Sequence, residues 1–83
     1  MTISEKVIKL PWYKKIEILR VINDWKQREV AEKCGVDQKI YWNWENGASV
    51  PIKRNREIIA KVFNVSESDI GLATLFWTNL YRT

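Results

Sequence analysis

Residues 27–47 read QREVAEKCGVDQKIYWNWENG, two helix-forming runs on either side of a short turn. The first run, residues 27–33, is built apart from Val30 from Gln, Arg, Glu, Ala and Lys, which lose little side-chain freedom in a helix. Gly35 stands where such a helix ends in a left-handed residue. Asp37 is a good N-cap for a second helix over residues 38 to 45 or 46, and Gly47 is a second stop. Ala31, four residues before Gly35, is small enough for the helices to cross closely. Gly35 permits the positive φ of the turn, and Val36 can plug the gap between the helices.

Working outward, Pro11 fits the first position of a helix running to about residue 24. Ile18, Ile22 and Trp25 recur there at i, i+4 and i+7, with Ile16 and Leu19 alongside. Residues 48–53, containing Pro51, are expected as a loop. Asn55 is expected to cap a fourth helix through Phe63, with Ile58, Ile59, Val62 and Phe63 as its apolar face. Ser66 to Asp69 has the Ser-x-x-Asp form of a capping box and predicts a short fifth helix before Gly71. Residues 3–10 and 72–81 carry β-branched and aromatic side chains without a clean period, and extended structure is expected for both.

Composition bounds the function. Eighty-three residues make one domain, and 46% hydrophobic with 29% charged residues excludes a disordered chain. No apolar run approaches the ~18–20 residues of a bilayer span, and the first ten residues lack an apolar signal core, so a cytoplasmic, nucleoid-associated protein with no membrane contact is expected. Cys34 is the only cysteine and there is no histidine. An internal disulfide, a zinc finger and His-based acid/base chemistry are thereby excluded. The carboxylates are scattered singly, so the expectation is no enzyme, no catalytic residue, no metal and no cofactor. The net charge of +4 is uneven: residues 37–56 hold four basic and two acidic groups, whereas 57–83 hold two basic and three acidic.

Two helices joined by residues 34–37 meet the packing demand of a DNA-reading helix-turn-helix. The run 27–36, the Trp44-Glu45-Asn46-Gly47 segment, Pro51 and the run IAKVFNVS at 59–66 resemble the Cro and lambda-repressor-like helix-turn-helix family over roughly residues 16–70. The resemblance implies an all-α, compact five-helix DNA-binding domain, its core at about residues 12–70 of a single domain 1–83. It further implies a bacterial or phage transcriptional regulator of the repressor type, whose third helix enters the major groove of an operator, usually as a homodimer. Family members pair an arginine late in the first helix with the glutamate of the Glu-Asn-Gly segment, which here means Arg20 and Glu45 as a structural salt bridge.

On the third helix Gln38, Lys39, Trp42, Asn43 and Asn46 share one face, and Tyr41 and Trp44 share another. Gln and Asn can read adenine, Lys can reach guanine or a phosphate, and Trp42 can pack on a thymine methyl or a sugar. Base contacts are expected from Gln38, Lys39, Trp42 and Asn43. A solvated surface accounts for Lys39 and Asn43 but leaves the large Trp42 ring without a partner. Similarity to the family places Gln27 against a phosphate and bracing Gln38, and Asn46, Lys53, Arg54 and Arg56 at phosphates. The chain departs from the family pattern at Lys26, where a capping Ser or Thr is common, at Ile40, where a small hydroxyl residue often stands, and at Tyr41, where an aliphatic core residue is usual.

The five tryptophans divide as Trp12, Trp25 and Trp44 in the core, Trp42 on the proposed DNA face, and Trp77 in an apolar tail. That tail, residues 71–83, is expected either to form a dimer contact or to fold across its own core. A second reading makes the chain an antitoxin or adaptor whose residues 72–81 bind a protein partner. Cys34 reads as a small buried hydrophobe.

Overall fold

A computed structural model describes residues 10–71 of the chain. Four helices follow one another: α1 (Trp12–Ile22), α2 (Gln27–Cys34), α3 (Gln38–Glu45) and α4 (Lys53–Phe63). No strand occurs among the described residues. Residues 3–9 and 72–81, expected to be extended, lie outside them.

The fifth helix is a correction. Its capping box closes in both directions, with the Ser66 backbone N–H donating to Asp69 Oδ2 at 3.1 Å and the Asp69 N–H to Ser66 Oγ at 3.1 Å. The N–H bond from Ser66 holds the Asp69 carboxyl below its usual range. The backbone behind the box makes i→i+3 bonds, Asp69 to Ser66 and Gly71 to Ser68, and Gly71 turns left-handed at φ 80. Bonds of the i→i+3 kind ending in a left-handed glycine make a turn, not an α-helix.

The other boundaries differ by a turn or less, each for a visible reason. Pro11 is extended at ψ 158 and serves as the N-cap of α1 instead of its first residue, its carbonyl accepting from Lys14 and Lys15. At the other end Asp24 adopts φ 59 and stops α1 at Ile22. Helix α4 begins at Lys53, two residues before Asn55, and the loop shortens accordingly. Arg56 holds that start by donating from its backbone to the Ile52 carbonyl at 2.9 Å and from Nη1 to the Pro51 carbonyl at 3.0 Å.

All four helices end in the same way. A left-handed residue donates to the carbonyl three back, and its successor to the carbonyl five back: Asp24 and Trp25, Gly35 and Val36, Gly47 and Ala48, Asn64 and Val65. This paired closure is the Schellman motif, which satisfies carbonyls that a helix end otherwise leaves open.

The core joins one face of every helix: Trp12 and Ile16 from α1, Val30, Ala31 and Cys34 from α2, Tyr41 and Trp44 from α3, Ile59 and Phe63 from α4, with Ile70 closing the base. Helix α2 packs against both α3 and α4, and α1 against α3. Trp25 is half-buried, stacked on Phe63 at 6.0 Å between centroids, with Lys33 Nζ 4.7 Å from its ring. Tyr41 is fully buried edge-on to Trp44. Its hydroxyl finds no hydrogen-bond partner at normal geometry, and burial together with the nearby Glu45 carboxylate pushes its pKa upward.

Two consequences are measurable. A Cβ at Gly35 would meet nothing within 4 Å, so Gly35→Ala costs only the left-handed strain, about 1–2 kcal/mol. At Gly47 a Cβ would lie 2.9 Å from Tyr13 Cε1, a ring packed edge-on to Trp12, so Gly47→Ala loses more stability to urea. Equal losses would show that Tyr13 swings aside at no cost. Burial also pushes the Cys34 thiol up to about 11 from 9.0. Between those values the unfolded chain releases its proton first, so stability falls as pH rises through this window and is untouched below it. Urea midpoints across the window should decline less steeply in Cys34→Ala than in wild type.

Candidate nucleic-acid interface

Helix α3 has one locked side and one open side. On the locked side Glu45 is almost wholly buried, a position a carboxylate holds only when paired. Arg20 supplies the pair from α1, with Nε 2.6 Å from Glu45 Oε2 and Nη2 3.2 Å from Oε1. A third arm of the guanidinium, Nη1, donates to the Trp25 carbonyl at 3.0 Å, tying in the connection between α1 and α2. The hydrogen bond to Glu45 raises the Arg20 pKa further. Gln27 Nε2, at the start of α2, donates to the same Glu45 Oε1 at 3.0 Å. One carboxylate therefore fixes α3 to α1 and to the first residue of α2.

Helix α2 starts without a hydroxyl cap. Glu29 accepts from the Lys26 backbone N–H at 2.9 Å, and a lysine has no acceptor with which to return the bond, so the box is one-sided.

On the open side Gln38, Lys39 and Trp42 surround a concavity of about 340 Å³. Trp42 keeps 45% of its surface exposed. Gln38 also lines two neighbouring concavities, one with Arg28, Ala31, Glu32, Val36 and Asp37, the other with Arg20, Lys26, Gln27 and Arg28. The structure thus brings Gln27 and Gln38 to one recess, although the hydrogen bond Gln27 makes is to Glu45. Asn43 is half-buried on the same helix.

The remaining expected contacts are placed differently. Asn46 Nδ2 turns back to the Trp42 carbonyl at 2.8 Å and closes the end of α3. Arg56 is largely buried, bonded to Pro51 and 3.9 Å from Glu67, so its guanidinium faces the loop instead of solvent. Lys53 and Arg54 are exposed on the first turn of α4, outside the three concavities. That turn has no acidic residue. Cations at a helix N-terminus oppose the macrodipole, so this pair weakens the isolated helix and favours an anion beside it. Sequence reasoning passed over Lys26 and Arg28 as cation positions. Their signal was available, since both flank Gln27, but it took the turn geometry to bring them beside Gln38.

Comparison with known families matches residues 16–70, the span from mid-α1 to the closing turn, to the helix-turn-helix family of the Cro/C1 type. The chain belongs to that family. No curated protein and no solved structure matches it. Membership supports a DNA-binding regulator, and α2 and α3 are the two helices of its motif. Among the described residues no helix is long and apolar enough to cross a membrane.

The carboxylate at the centre of this geometry makes a clear prediction. Arg20→Ala or Glu45→Ala strands its charged partner in the interior and should cost about 3–5 kcal/mol by urea denaturation. The double variant should lose distinctly less than the two single losses together. Additive losses would mean that the ion pair contributes nothing beyond its separate packing.

Proposed function

We propose that this helix-turn-helix protein is a sequence-specific, non-enzymatic transcriptional regulator, acting as a repressor by occupying a double-stranded operator. The observation that carries the reading is the open side of α3: Gln38, Lys39 and the exposed Trp42 around a concavity, on a helix whose other side is held by Glu45. In this reading α3 lies in the major groove, with Gln38, Lys39, Trp42 and Asn43 at base edges. Lys53 and Arg54 hold a phosphate at the start of α4, where dipole and charge act together. Gln27 retains a second amide N–H for a phosphate while the first stays on Glu45. Asn46 and Arg56 shape the loop after α3 through the bonds they already make. The protein acts as a homodimer in the cytoplasm, on two half-sites one helical turn apart.

A second reading, an antitoxin or adaptor, draws on a different surface. Val21 is 61% and Ile22 72% exposed, and Ile22 borders a mostly apolar concavity lined also by Ile18, Leu19, Val65 and Ile70. A protein partner would cover that side, away from the concavity on α3.

Selection of duplexes from a random pool separates the two. The regulator reading expects a partly palindromic motif with half-site centres ~10 base pairs apart. Asn43→Ala should lower affinity for the selected duplex more than for random duplex, relaxing specificity. Lys53→Ala should weaken both alike and reduce the salt dependence by about one contact. No enriched duplex at low salt would remove the regulator reading.

A further inference from the structure

On the proposed reading of α3 as the groove-facing helix, we infer that Trp42 is a thymine sensor: the concavity between its indole, Gln38 and Lys39 takes the C5-methyl group of a thymine. Trp12 and Trp44 are buried, and Trp25 is covered by Phe63 and Lys33, whereas Trp42 stays 45% exposed on a well-packed helix. An exposed indole on a face with polar neighbours is an apolar surface suited to a ligand.

The walls beside it define the ligand. Gln38 precedes Trp42 by four residues and Lys39 by three, so both side chains neighbour the ring on one face. The wall they make is mostly apolar, and its rim carries an amide and an ammonium. A purely apolar peptide would use the ring and neither the amide nor the ammonium. A base edge matches the whole site, because thymine alone presents a methyl group in the major groove, set among acceptors and phosphates that Gln38 and Lys39 can bond. Spacing agrees as well. Four residues of helix advance ~6 Å, about two base-pair steps of ~3.4 Å. The thymine read by Trp42 therefore lies within two base pairs of the base read by Gln38.

The test uses the full chain and the duplex it selects from a random pool, resynthesised with deoxyuridine in place of each half-site thymidine in turn. This change removes one methyl group and leaves every hydrogen bond intact. For wild type, one substitution in each half-site should weaken binding about fourfold, the value of burying a single methyl-sized group. Trp42→Ala, and Trp42→Gln as a second variant, should bind both duplexes equally while melting like wild type. Equal binding of both duplexes by wild type, a selected half-site without thymine, or continued discrimination by both folded variants overturns the inference and leaves DNA recognition standing. Failure to enrich any duplex removes DNA recognition itself.

Discussion

The arrangement of this small protein depends on one buried carboxylate. Glu45 lies in the last turn of α3, and its two oxygens are held by Arg20 of α1 and Gln27 of α2. Each partner belongs to a different helix, so the bonds fix direction as well as distance. Hydrophobic packing is tolerant of small rotations, since Val30, Tyr41 and Ile59 would still be covered if α3 turned by a few degrees. A two-oxygen, two-helix hydrogen-bond set is far less tolerant. Burial of Tyr41 and Trp44 decides which residues of α3 face outward, and the ion pair fixes the angle at which that face is held.

Much of this was legible beforehand because the relevant signals are local. The turn at Cys34 to Asp37 needs a small residue, a glycine and a plug in fixed order, and all three stand in the sequence. The stops at Gly35 and Gly47 were visible for the same reason. The equivalent stops at Asp24 and Asn64 were not, because Asp and Asn enter the left-handed region only when the surroundings favour it. At Asp24 the left-handed turn goes with the bond from the Trp25 N–H to the Arg20 carbonyl, a contact across the helix end that residue preference does not show.

The candidate surface divides along the same line. Gln38, Lys39 and Trp42 could be placed together because helical spacing alone puts them on one side. Arg56 and Asn46 could not be placed, since each side chain has a choice between solvent and a nearby carbonyl. Both took the carbonyl. A charge or an amide read from sequence is only an available donor, and the nearest backbone acceptor competes for it. The segment after Ser66 shows a related limit: the Ser-x-x-Asp spacing specifies the cap, but the i→i+3 bonds behind it and the left-handed Gly71 make it a turn.

The shared ending of the four helices bears on how such a protein meets its partner. Every connection between helices among the described residues leaves its helix through two backbone bonds, and the two before α3 are only four and three residues long. Little slack remains for one helix to adjust against another. In the proposed complex the protein therefore behaves as a stiff template, and the work of fitting passes to the duplex. Its choice of site would then include how easily a sequence bends or narrows, at base pairs that no side chain touches.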